Sequence, residues 1–431
     1  MHASSHSFYS AAMNNTLGII IVIALFLLWN LDLIATLLNL KALNPKLPSE
    51  FKGIFTEDKY AESQHYTRIT SQFDIVQSTF SLALTLTFWL LGGFGWLDDF
   101  CRSIGYGPIL TGLIFMAILF IAQTLIGIPF QIYSTFVIEA KFGFNKTTPK
   151  TFVIDQIKGL ILMALIGAPI LALILWIFGA VAHAWLWAWI AFTLIQLLLT
   201  YLAPTYILPL FNKFEPMEDG ELKSAINALS AKCDFPLTEI YVMDGSKRST
   251  KSNAFFTGFG KNKKIALFDT LIEKHTTEGL VGVLAHEIGH FKCKHIIQRM
   301  VVSTIQTAVI FFLIGIATNP NGAFAQQLFD AFYVEQISTY AGLIFFFILF
   351  SPVNKVLSIF SNRCSRKHEF EADAYAANAQ GTPEHLIGAL KQLSADNLVN
   401  LTPHPFLVFL EYSHPPMLTR IDALRRLKLD A

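Results

Sequence analysis

His286, Glu287 and His290 follow one another as H-E-x-x-H inside Leu284–His290. On a helix, two histidines four apart lie one turn apart on one face, so both imidazoles can reach one metal. Glu287 beside them is placed to take a proton from a water held at that metal. Bound zinc lowers the pKa of such a water to about 7. The plain alternative is a surface helix that carries two histidines. Val281, Gly282, Val283, Leu284, Ala285, Ile288 and Gly289 are small or apolar and argue for burial instead. Two buried histidines and a carboxylate cost several kcal/mol unless paired or metal-bound.

A catalytic zinc takes three protein ligands and keeps one position for water or substrate. The third ligand is expected in Ser365–Ala376, where Glu369 and Asp373 are four apart on one face of a predicted helix. One of these carboxylates can bind the metal. The other can accept the N–H of a ligating histidine and fix its tautomer. Glu371 points about 200° from Glu369 and is expected in solvent. His368 is a rival ligand, and the plain alternative for the stretch is a charged helix leaving the membrane. Cys293, on roughly the face of His286, reads as a buried thiol. Further on, His414 precedes two prolines and is held extended. Near a zinc site, His414 and Arg420 could stabilise an oxyanion. Their plain alternative is a capping turn with Arg420 on a solvated face.

The elements that must position these groups are mostly apolar. Of 431 residues, 53 % are hydrophobic and 15 % charged, against about 25 % charged in a soluble protein. A net charge of +1 gives no footing for nucleic acid, and four scattered cysteines imply no disulfide framework. Seven apolar stretches reach the roughly 20 residues that a span needs. They lie near Leu17–Leu40, Val76–Leu97, Ile109–Tyr133, Gly159–Val181, Ala184–Leu210, Met300–Thr318 and Ile337–Phe360. The first is expected to be retained as a span. Its Asp32 is a functional candidate by default, but near the span's end it reads better as a partner for a neighbouring helix.

Lysine and arginine collect in alternate loops: Lys41 to Arg68, Lys141 to Lys158, the stretch after span five, and Arg363 to Lys367. The other loops hold only Arg102. The positive-inside rule then puts the N-terminus outside and the motif-bearing segments in the cytoplasm. The chain divides at 1–210, 211–299, 300–360 and 361–431. The segment 211–299 predicts a helix over Gly220–Leu229 and strands over Glu239–Met243, Asn253–Phe259 and Lys263–Phe268. Gly260-Lys261-Asn262 is the turn between the last two strands. Thr276 or Thr277 caps the motif helix, which is expected to run to Lys294.

HEIGH, EFEAD after a span, and SHPP together resemble the type I CAAX prenyl endopeptidases, integral-membrane zinc metalloproteases. FGFNKTTPKTF (Phe142–Phe152), LPLFNKFEPMEDGELK (Leu208–Lys223) and Val242–Ile272 extend the resemblance over nearly the whole chain. It implies a mainly α, multi-pass fold: seven transmembrane helices forming a barrel around a large chamber, closed by a zinc metalloprotease domain with a small β-sheet. It implies one zinc held by His286, His290 and Glu369, with Glu287 as base, Asp373 behind a ligand, and His414 and Arg420 near the oxyanion. Asn253, Ala254 and Phe255 are implied as a substrate-binding strand edge. The expected partners are a peptide or prenylated protein and the lipid bilayer, for a monomer in a bacterial inner membrane or the endoplasmic reticulum. Three other readings stay open: an HtpX-type quality-control protease, a transporter whose zinc is structural, and an inactive scaffold.

Overall fold

The computed structural model describes residues 15–257 and 263–429. Seven helices are long and apolar enough to cross a membrane, as expected. In chain order the structure opens with α1 (Thr16–Ala42), α2 (Glu57–Leu90), the short α3 (Gly93–Ser103), α4 (Pro108–Glu139), α5 (Pro149–Ala180) and α6 (Ala184–Leu210). The second span differs from expectation at both ends. It begins at Glu57, capped by the Thr56 hydroxyl, and does not continue to Leu97. Gly92 stops it with φ +77°, a conformation that glycine adopts without strain, and the chain turns into α3. No more than 22 % of the most apolar stretch of any spanning helix is buried.

The extramembrane segment contains β1 (Phe214–Pro216), α7 (Glu221–Lys232), β2 (Leu237–Met243), β3 (Ala254–Thr257) and β4 (Lys263–Phe268). These strands form one sheet in the order β1-β2-β4-β3, with β2 and β4 parallel and the other pairs antiparallel. Three-residue β1, ending in proline, has no alternating pattern and was not expected. The predicted turn Gly260-Lys261-Asn262 and the strand end at Gly258-Phe259 lie outside the described residues. β3 begins at Ala254, one residue later than predicted.

After α8 (Asp269–Lys274) comes the motif helix α9 (Thr277–Lys292). The Thr276 hydroxyl accepts the Gly279 N–H at 3.2 Å, and Glu278 favours the positive helix start. The chain turns a corner at Lys294 (φ +59°) into α10 (His295–Ala317), the sixth span. α11 (Ala323–Ala331) leads to α12 (Thr339–Gln380), then α13 (Glu384–Asp396), α14 (Pro405–Glu411) and α15 (Met417–Arg426). The helix of the seventh span therefore does not end near Phe360. It continues without a break through Glu369 and Asp373. Forty-two residues at 1.5 Å each give a rod of about 63 Å, twice the roughly 30 Å hydrocarbon thickness.

α9 lies in the core of the extramembrane part, where Leu280, Leu284 and Ile288 pack with Ile226, Leu267 and Leu386. Its approach to α12 depends on Gly289. A Cβ there would come within 3.0 Å of Ala372 backbone atoms and 3.1 Å of Tyr375 Cβ. Asp32 meets Lys355 of α12 at 2.7 Å, and Lys355 also binds Glu411 of α14. This is the helix-pairing role expected of Asp32. Cys293 is only half-buried, because the helix ends beside it at the corner.

Two predictions come from this packing. Gly289→Ala forces α9 and α12 apart and is expected to destabilise the protein by about 1–3 kcal/mol, read as a lower Tm with weakened metal binding. His275, on the turn between α8 and α9, is 2 % exposed, and burial pushes its imidazole below the ordinary value despite Asp396 at 3.8 Å. The unfolded chain then binds the proton more readily than the folded one. The stabilising contribution of neutral His275 is full above about pH 6.5 and is lost as pH falls through the lowered folded value. His275→Leu is expected to flatten the fall in Tm between about pH 7 and pH 5.

Candidate active site

α9 presents His286 and His290 on one face, with Nε2 atoms 3.1 Å apart. α12 brings Glu369 against both. Its Oε2 is 3.4 Å from His286 Nε2, and its Oε1 is 3.3 Å from His290 Nε2. Ligand atoms about 2.0–2.1 Å from a tetrahedral zinc lie about 3.3 Å from one another. The triangle fits that ion. Charge fits it too. The site gathers three carboxylates, Glu287, Glu369 and Asp373, against the single guanidinium of Arg420. Two negative charges are left over, which a dication cancels.

Asp373 and Glu369 take different places against the histidines. Asp373 Oδ1 lies 2.8 Å from His286 Nδ1, the nitrogen facing away from the triangle. Arg420 grips the same carboxylate with Nε at 2.9 Å and Nη2 at 2.6 Å. All three side chains are buried, and a charge so placed needs its partners. Burial disfavours charge on His286, but Asp373 and Glu369 outweigh it and lift its pKa to about 9. A metal entering here therefore displaces a proton. Arg420 is not on a solvated face. Its two strongest bonds go to Asp373, and its Nη1 stands 3.6 Å from Glu369.

Glu287 borders a cavity of about 320 Å³ together with His286, Glu369, His414, Asn253 and Ala254. Burial pushes the Glu287 carboxyl up, opposed by His286 and His290. No other described residue hydrogen-bonds to it, so it is left for a substrate or water. His414 is 65 % exposed on its side chain, with Nε2 3.5 Å from Glu369 Oε1. Asn253 is exposed, and its Oδ1 accepts the Ala254 N–H at 2.8 Å. β3 is the edge strand, paired with β4 on one side. Phe255 points to the other face, toward Phe268, and is not among the cavity's lining residues. Leu271, Leu390, Leu393 and Met417 give the cavity an apolar wall. A larger cavity of about 890 Å³, beside Arg102, His183 and Tyr340, touches none of these groups.

Two expectations need correcting. Glu371 is not simply solvated, because its Oε2 lies 2.8 Å from His295 Nε2. His368 is not in the triangle, and its ring stacks on His295 at 4.0 Å. His295 itself was missed. Five residues on along a continuous helix it would point about 140° from His290. The corner at Lys294 swings it back, so that the two Nδ1 atoms are 2.9 Å apart.

Residues 36–213 match the family described as CAAX prenyl protease N-terminal, five membrane helices, and residues 216–428 match peptidase family M48. CAAX prenyl protease 1 of Saccharomyces cerevisiae is 35 % identical over 401 residues, covering 88 % of each chain. The human CAAX prenyl protease 1 homolog is 33 % identical, covering 89 % of each. The crystal structure of S. mikatae Ste24p superposes with a TM-score of 0.87 at 33 % identity, over 95 % of this chain and 99 % of that one. With matched families on both sides of the sheet's first strand and a solved relative along its length, the chain belongs to the CAAX prenyl protease branch of the M48 metallopeptidases.

Proposed function

We propose that this chain is a zinc endopeptidase that cuts peptide bonds near the C-terminus of prenylated CAAX proteins, from the cytoplasmic side of its membrane. The observation that carries the reading is one cavity lined by His286 and Glu369 of the ligand triangle, by Glu287, and by Asn253 and Ala254 at the start of β3. His286, His290 and Glu369 would hold the ion, all from one chain, as suits a monomer. Zinc bound there supplies a Lewis acid for the scissile carbonyl and makes water acidic enough to attack at neutral pH. Glu287 takes the attacking water's proton and passes it to the leaving amine. His414, at the cavity edge, meets the developing oxyanion. Arg420 holds Asp373, and Asp373 holds His286.

The substrate backbone adds to the free edge of β3 at Ala254 and Phe255, with Asn253 beside the scissile bond. No more than 22 % of the most apolar stretch of any spanning helix is buried. That supports a barrel with an open interior, in which a prenyl chain is sheltered. Basic loops on the side of the metal site support a cytoplasmic orientation.

A matched peptide pair, farnesylated or bare at the CAAX cysteine, tests the reading. The purified chain is expected to cut the farnesylated peptide only. Glu287→Gln should lose on the order of 10²–10⁴-fold in rate while retaining zinc. Equal cutting of both peptides would favour a quality-control protease, and no cutting by a zinc-loaded chain would return the site to a structural role. Strand addition has its own test. N-methylation of the substrate amide that pairs with β3 should raise KM without changing zinc content, whereas methylation one residue away, pointing outward, should not.

A further inference from the structure

The two metal-facing histidines are held from behind in unlike ways. His286 Nδ1 meets a carboxylate directly, Asp373 at 2.8 Å. His290 Nδ1 meets another imidazole, His295 Nδ1 at 2.9 Å, and His295 Nε2 meets Glu371 Oε2 at 2.8 Å. We propose that His295 and Glu371 are positioning residues that fix the tautomer and orientation of His290 for the metal. The inference rests on the reading of His290 Nε2 as a ligand.

Proton placement gives this chain of bonds one direction. A ligating His290 is neutral, with its lone pair on Nε2 and its proton on Nδ1. That proton is donated to His295 Nδ1. The His295 proton is then on Nε2 and is donated to Glu371. Each bond has one donor and one acceptor. His295 is 1 % exposed, and His368 stacks on it at 4.0 Å and 11°, which stops the ring from turning. The far end is open: the Glu371 side chain is 39 % exposed, with Lys367 at 3.5 Å.

His295, His368 and Glu371 also have ligand atoms within 4.8 Å of one another, which suggests a second metal. The geometry favours hydrogen bonds. Parallel stacked rings direct their lone pairs side by side, not to a common point. The 2.8 Å between His295 and Glu371 is hydrogen-bond length, shorter than the 3.1–3.4 Å spacings of the triangle.

The test uses the full chain in detergent. Zinc affinity is read by competition with a chromophoric chelator, and ligand geometry by the visible spectrum of the Co²⁺-loaded protein. His295→Phe keeps the stack and removes the acceptor, and is expected to weaken zinc about 10–100-fold and alter the Co²⁺ spectrum. Excess zinc should restore its peptide cleavage. His295→Asn, whose amide oxygen stands near the Nδ1 position, should recover most of the loss. Should His295→Phe not fold, Glu371→Leu reads the same chain from its open end, with affinity expected to fall on the order of tenfold. Unchanged affinity and spectrum in whichever variant folds would overturn the proposal, as would His295→Asn binding no better than His295→Phe. Two zinc ions per wild-type chain, one of them lost in His368→Phe, would overturn it in favour of the second metal. His290→Ala is the control. If it binds zinc as tightly as the wild type, the ligand reading fails and takes this inference with it.

Discussion

The site depends on how closely α9 approaches α12. His286 and His290 belong to one helix and Glu369 to the other, and no local spacing links them. Gly289 has no side chain where α9 meets the backbone of Ala372, and the approach brings the three ligand atoms within 3.1–3.4 Å. A single methyl group at that contact is enough to disturb a geometry whose tolerance is a few tenths of an ångström.

α12 ties the chemistry to the bilayer. Its first half packs among apolar helices, and its second half carries Glu369, Glu371 and Asp373. A continuous helix is stiff, so Glu369 is held at a fixed distance from the apolar half of α12. The corner at Lys294 does the same from the other direction, joining the motif helix to the sixth span across two residues. Both halves of the ligand triangle are thereby anchored in membrane helices. A protease built this way suits a scissile bond that is itself tethered to the membrane at a set distance.

Burying so much charge is tolerated because every group has its partner. Asp373 is held by Arg420 and His286, Glu369 by the two histidines, and the remaining negative charge matches a dication. Arg420 comes from the last helix, α15, so the C-terminal segment closes the site from behind. Glu287 is the exception. It has no hydrogen-bond partner among the described residues and borders the cavity, which suits the proton transfer proposed for it.

Much of this was legible in the sequence, for reasons of local geometry. Helical periodicity places His286 with His290 and Glu369 with Asp373. Apolar length marks seven spans, and residue order marks Thr276 or Thr277 as a cap. Each depends only on neighbours within a few positions. The sequence left open which carboxylate binds and which supports, and it read the seventh span and the helix of Glu369 and Asp373 as separate stretches, which the structure joins in one rod. It read Glu371 as solvated, since its place on α12 points away from the triangle, and it passed over His295. Those two meet only because the backbone turns at Lys294 and folds α10 beside α12. Periodicity assumes that a helix continues. Where it stops, at Gly92 or Lys294, tertiary packing decides which side chains face each other.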